Sequence, residues 1–131
     1  MSKGMNDKTQ IRTVKLIRQI GSDMDWNTKP NRQLVAGILE LKNADEAKRF
    51  LRDLMTPQEI NEFANRLETA SLLSKDVQYN AISENTGLSS ATIARIAKWL
   101  NGSLGGYRLI LGRLNHHSNS FKVRKGLFLS T

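Results

Sequence analysis

Residues 79–100, YNAISENTGLSSATIARIAKWL, constrain the fold more than any other stretch, because they read as two short helices joined by one glycine turn. The first helix is expected from Gln78 to Asn85 with Ala81 and Ile82 facing inward. It should stop at Gly87, the residue type that takes a left-handed turn without steric cost. Ser89 or Ser90 then caps a second helix, in which Ile93, Ile96, Ala97 and Leu100 recur at the spacing of one apolar face. Ser90, Ala91, Ala94, Arg95 and Lys98 are left pointing outward. This is the layout of a DNA-reading helix-turn-helix. Small and hydroxylated residues at its start (Ser89, Ser90, Ala91, Thr92) would let the backbone approach base edges, and Arg95 or Lys98 could reach guanine or phosphate. Two helices around a glycine also occur in helical proteins that never touch DNA, so other features have to be weighed.

The charge distribution is the first of them. The net charge of +8 is uneven: residues 1–32 carry seven basic and three acidic side chains, 33–76 six and eight, and 77–131 seven and one. Basic character therefore gathers at the reading head and both ends, which suits a polyanion partner, although solvated basic tails would look the same. With 131 residues, aromatics at 6% and only two prolines, the chain is expected to form one all-α domain with tails. It has no cysteine, which excludes disulfides and thiolate metal sites. There is no membrane-length apolar run and no signal-peptide pattern, so the expected location is cytoplasmic.

Residues 1–9 read as disordered. The following IRTVKLIRQI has Ile11, Val14, Ile17 and Ile20 near helical spacing, between Arg12, Lys15 and Arg18. It suits either an arm that orders on DNA or a partner subunit, or a plain docked helix. Residues 21–31 read as a linker whose Trp26 is a packing anchor. Pro30 suits the start of a helix with an apolar stripe of Leu34, Val35, Ile38, Leu39 and Leu41, running to Lys42. Asn43 with Glu46 resembles a capping box for a second helix with Ala47, Phe50, Leu51 and Leu54 inward. Thr56, Pro57 and Glu59 open a long third helix to about Ser74, with Ile60, Phe63, Ala64, Leu67, Ala70 and Leu73 inward. Three such helices with short connections have more apolar surface than they can hide alone, which points to dimerisation. Residues 101–106 are glycine-rich but lack the strand and lysine of a phosphate-cradling loop. A short helix from Tyr107 to Leu114 follows, then a loose basic tail over 115–131 that suits either a short strand, with Phe121 and Val123 alternating, or a segment that orders only against a partner.

The segments LRDLMTPQEINEFANRLETASLL, ISENTGLSSATIARI and LNGSLGGYRLILGRL, in that order and spacing, resemble the Trp repressor superfamily and within it the YerC/YecD-like branch. The resemblance spans Asn31 to about Leu114. It implies an all-α, Trp-repressor-like fold of about six helices, an interlaced homodimer, and a role as a DNA-binding transcriptional regulator, with repression as its direction. The expected organisation is a basic N-terminal extension over 1–28, partly disordered or a short amphipathic helix, a Trp-repressor-like helical domain over 29–114 with the helix-turn-helix at 78–100, and a basic tail at 115–131, although the resemblance itself says little about either end. The candidate DNA-binding residues are Gln78, Asn80, Ser89, Ser90, Ala91, Thr92, Ala94, Arg95 and Lys98. Asn80 and Ser83 stand where the repressor has basic side chains, so operator sequence and affinity do not carry over.

Thr56, Arg66, Arg95, Ile96 and Trp99 match positions that surround the repressor's bound tryptophan. Ile96 replaces a glycine there and Trp99 replaces the serine that receives the ligand's amino group, so this bulky pair is expected to fill the cavity and tryptophan is not expected to bind. No cofactor is expected. Catalysis is not expected either, because no nucleophile, base and orienting acid recur together, and adjacent His116 and His117 are poorly placed to share a metal. The competing function is a helical interaction module that kept the fold and lost specific DNA binding. RNA binding ranks behind both, since no exposed aromatic platform is evident.

Overall fold

The computed structural model describes residues 24–129, with side chains described as far as His117; the expected N-terminal disorder and the amphipathic segment at 11–20 lie outside it. Every regular element among the described residues is a helix: α1 Lys29–Leu39, α2 Ala44–Leu54, α3 Pro57–Ser74, α4 Tyr79–Thr86, α5 Ser90–Leu100 and α6 Gly106–Leu129. The chain groups into two compact units that divide between Asn61 and Glu62, within α3, where the sequence suggests a single helical body over 29–114.

In the first unit the helix starts follow local chemistry. Thr28 takes an extended backbone and its hydroxyl accepts the Asn31 N–H, with Pro30 in the first turn where no donor is wanted. Asn43 does the same for α2, its carbonyl oxygen accepting the Glu46 N–H at 3.0 Å. The Glu46 carboxylate reaches back past the cap to the Lys42 N–H at 3.1 Å. Thr56 and Glu59 form the reciprocal pair that opens α3, at 3.2 Å and 3.4 Å. The exposed Asp45–Arg49 pair on α2 adds little. α1 stops at Leu39, earlier than the expected Lys42, where the Glu40 N–H returns to Gly37 O and the Leu41 N–H to Ile38 O.

No residue of α1 or α2 is buried in the single chain. Gly37 faces the Phe50 ring, 3.5 Å from where a Cβ would sit, yet Leu34, Val35, Ile38 and Leu54 remain exposed and Leu39 is 78% exposed. Trp26, expected as a packing anchor, is also exposed and lines an open apolar groove with Arg32, Val35, Ala36 and Leu39.

The second unit has a true core. Ala70, Ile96, Leu100 and Leu111 are buried together, and Leu67, Leu73, Leu88 and Tyr107 pack against them. Ile82 and Ile93 are also fully buried. The α3 stripe is narrower than expected, since Phe63 and Ala64 are exposed. Beyond the end of α3 at Ser74 the chain turns at Asp76, at φ 60°, a left-handed conformation that Asp tolerates better than most residues, while the Val77 N–H returns to Leu72.

α6 corrects two expectations. It continues to Leu129, in place of a short helix ending at Leu114 and a loose tail with a strand. The physical reason is that residues 115–129 contain no proline, and the polar run at 115–120 does not by itself end a helix. Among the described residues no helix is long and apolar enough to cross a membrane.

Candidate nucleic-acid interface

α4 and α5 pack on each other, and α5 packs on α6. Between the first two, Gly87 sits at φ 73°, ψ 3° and donates its N–H to the Ser83 carbonyl at 2.8 Å. Side chains that sequence reasoning missed brace this turn. The Ser83 hydroxyl donates across it to the Leu88 carbonyl at 2.8 Å. The Thr86 hydroxyl is buried, donates to Ile82 O at 2.8 Å and accepts the Leu88 N–H at 3.3 Å. Ser83 is therefore half-buried structural bracing. Thr86 takes the inward role expected of Ala81, which is exposed, because a position four residues after Ile82 shares its face. A signal existed: short hydroxyl side chains flanking a turn glycine are the type that bond locally to backbone.

Ser89 caps α5. Its hydroxyl accepts the Thr92 N–H at 3.2 Å and lies 3.0 Å from the Thr92 hydroxyl, so both oxygens are engaged at the helix start. Ile93, Ile96 and Leu100 are buried on one side of α5, and this anchored face orients the other. Ser90, Ala91, Ala94, Arg95 and Lys98 are exposed on α5, with Ser89 at its cap. Gln78 and Asn80 are exposed at the start of α4, and Thr92 is half-buried. Among the described residues neither Arg95 nor Lys98 is in an ion pair, and no acidic residue follows Glu84 in the sequence. An exposed helix with small residues at its start and two unpaired cations on its outer side can approach a nucleic-acid groove closely and meet phosphate or base edges there.

The positions expected around a small ligand fare differently. Thr56 belongs to the first unit, and its hydroxyl serves the α3 cap. Arg66, Arg95, Ile96 and Trp99 belong to the second. Arg66 is held by Glu62 at 2.9 Å and lies over the Phe63 ring, 5.3 Å from its centroid. Ile96 is fully buried in the core, but Trp99 is 43% exposed. Of the two residues expected to fill a ligand cavity, Ile96 is packed inward within the single chain and Trp99 is not enclosed. Tyr107 has its pKa raised by burial, an effect opposed by the nearby Arg66 charge. His116 and His117 are exposed with ring centroids 6.2 Å apart, and no group of three or more possible metal ligands occurs among the described residues.

The far end of α5 holds a second feature that sequence reasoning missed. The Arg108 guanidinium donates to the Leu100 carbonyl and, at 2.9 Å, to the Gly102 carbonyl. The Asn101 side chain donates to Ala97 O at 3.0 Å. The bond to Leu100 O satisfies a carbonyl that the helix end leaves without a backbone partner, whereas Ala97 O also accepts the Asn101 N–H.

Helices alone, a buried core under α5 and a glycine-turned helix pair with an exposed second helix define a helix-turn-helix protein of all-α class. Likeness to known proteins makes that more specific. Residues 30–115 match the Trp repressor protein family. Over 82 residues the chain is 42% identical to the uncharacterized protein YerC of Bacillus subtilis (strain 168), covering 63% of this chain and 79% of that one. It also superposes on the crystal structure of a TrpR-like protein from Eubacterium eligens ATCC 27750, with a TM-score of 0.65 and 40% identity, covering 69% of this chain and 93% of the other. The chain belongs to the Trp repressor family, in its YerC-like branch.

Proposed function

We propose that this protein is a sequence-reading DNA-binding transcriptional regulator, a repressor in its direction of control, which works in the cytoplasm as a homodimer and catalyses nothing. The observation that carries the reading is the two-sided character of α5: Ile93, Ile96 and Leu100 fully or almost fully buried, with Arg95 and Lys98 exposed and unpaired among the described residues. Gln78, Asn80, Ser89, Ser90, Ala91, Thr92 and Ala94 complete the reading surface. Ser89 and Thr92 contribute chiefly by holding the helix start.

The dimer is supported by the first unit, in which neither of two amphipathic helices has a fully buried residue within one chain. Apolar surface of that extent is normally covered. A second copy would cover it symmetrically and present two reading heads about one helical turn of DNA apart, ~34 Å.

Selection of bound fragments from random duplex DNA, at low and at raised salt, tests the reading. The expected result is an enriched motif with two-fold symmetry. Arg95→Ala or Lys98→Ala should weaken binding and lower the salt slope by about 0.9 for each phosphate that the protein no longer neutralises. Absence of any enriched sequence, with binding that vanishes as salt rises, would leave the interaction module as the better reading. Ser83 favours that second reading, since its hydroxyl is committed to the turn at a position where the family's repressor carries a basic side chain.

A further inference from the structure

We propose that Arg108 is the positioning residue of the reading helix: it acts through α5, by clamping that helix's last turn, and does not itself contact DNA. The inference deepens the DNA-reading role proposed above and rests on it. A guanidinium presents several N–H donors in a rigid planar fork, which can hold two acceptors in a fixed relation. Both acceptors are present. One nitrogen donates to Leu100 O, the last residue of α5, and the other to Gly102 O at 2.9 Å, in the connection that follows.

The loop leaves room for this fork. Gly105 is at φ 71°, and a Cβ there would lie 3.2 Å from the Arg108 terminal nitrogen. Gly102 is similarly close, with a Cβ 3.2 Å from Lys98 O and 3.3 Å from Trp99 O, where the chain folds tightly over the helix end. The cation also sits at the negative end of the α5 dipole. No acidic side chain follows Glu84 in the sequence to compete for it locally. The same first turns of α6 that carry Arg108 send Tyr107 and Leu111 to the core alongside Ile96 and Leu100. Arg108 thus ties the orientation of α5 to the core at the end opposite the Ser89 cap, within two turns of Arg95 and Lys98. A tilt of α5 about its buried face would displace the reach of those two side chains, so orientation translates into selectivity.

The competing role is a direct bond to phosphate, and Arg108→Lys separates the two. A point charge is a good phosphate partner but cannot span two carbonyls as the fork does. If Arg108 clamps α5, Arg108→Lys lowers affinity for the selected duplex about tenfold or more, leaves affinity for nonspecific duplex within about twofold, and so reduces the specificity ratio. Amide hydrogen exchange in the free protein should quicken at residues 100–106, with the far-ultraviolet circular dichroism unchanged. Arg113→Lys, on the exposed side of α6, is the control and should alter neither.

Arg108→Lys binding both duplexes like the wild type would overturn the proposal, as would equal weakening on both. Unchanged exchange at residues 100–106 would remove the clamp itself. If the wild type selects no DNA sequence, the regulatory reading fails, and the exchange comparison still decides whether Arg108 holds α5. Should Arg108→Lys fail to fold, Arg108→Gln, which keeps a planar donor group, supplies the same comparison.

Discussion

Replacing Gly87 by alanine isolates the cost of one backbone conformation. Gly87 sits at φ 73°, ψ 3°, and a Cβ built on it meets nothing within 4 Å, so the substitution introduces no collision with a neighbour. What remains is the intrinsic penalty of a left-handed L-residue, about 1–2 kcal/mol, partly offset by the smaller unfolded-state entropy of alanine, about 0.4–1 kcal/mol. The net expectation is a destabilisation of about 1 kcal/mol, or a fall in Tm of roughly 4–8 °C for a unit of this size. Gly112→Ala is the matched comparison. Gly112 is inside α6, has open space where its Cβ would be and carries no positive φ, so the same chemical change should stabilise by about 0.5–1 kcal/mol through helix propensity. Urea denaturation followed by circular dichroism measures both, and the m-value checks that the unfolded state has not changed. Gly87→Asn should recover part of the loss, since asparagine tolerates this region. If Gly87→Ala and Gly112→Ala shift stability in the same direction, the left-handed turn is not what joins α4 to α5, and the reasoning fails.

Thr69→Val should stabilise the second unit by about 1 kcal/mol in thermal melts, because Thr69 is fully buried and its hydroxyl has no partner among the described residues; a loss of stability would reveal an acceptor for it. Tyr107 has a raised pKa from burial, so its contribution to stability is complete below the ordinary tyrosine range and is lost as pH rises through the folded value; Tyr107→Phe should flatten the fall in Tm above about pH 10. Dilution should melt or expose the α1 and α2 surfaces if a second chain covers them, and a compact, stable monomer at low concentration in sedimentation would sink that idea. Free tryptophan should leave DNA binding unaltered, which a titration calorimeter and a binding assay with and without the amino acid can check.

Local signals are the legible part of this fold. Asn43 with Glu46, Thr56 with Pro57 and Glu59, Gly87 and Ser89 all announce helix boundaries through side chains that bond to backbone within a few residues, so no knowledge of the rest of the fold is needed. Thr28 carries the same chemistry two residues before Pro30, whose own preference for a helix start masks the cap beside it. Interactions over longer separations are not legible. Nothing in the sequence pairs Arg108 with Leu100 O eight residues earlier, because the acceptor is a main-chain carbonyl common to every residue type. Apolar periodicity likewise overstates burial in α3. It marks which residues share a face but not how far along the helix that face is covered: Phe63, seven residues before Ala70 on the same face, is 45% exposed in the single chain. The outward row on α5 is legible as a geometric pattern; whether those side chains read bases is a matter of chemistry outside the chain.

The fate of a ligand cavity turns on one helical turn. If both bulky residues of α5 had been packed inward, a filled cavity would have followed from volume alone, but within the single chain the core takes the isoleucine and leaves Trp99 nearly half exposed. Ile96 is packed with Ala70, Leu100 and Leu111, where a glycine would leave the volume of a branched side chain vacant. Opening that space now would mean displacing close-packed methyl groups, at a cost of typically 1–3 kcal/mol for overpacking, which cancels much of the affinity of a weak ligand. Ile96 alone is therefore expected to oppose tryptophan. Trp99 is left with nearly half its surface exposed, three residues before the glycine on which the Arg108 clamp closes. Its ring is not enclosed within the single chain, and α5 is held by other contacts: the Ser83 and Thr86 braces at one end, the Arg108 fork at the other, and three buried apolar side chains between them.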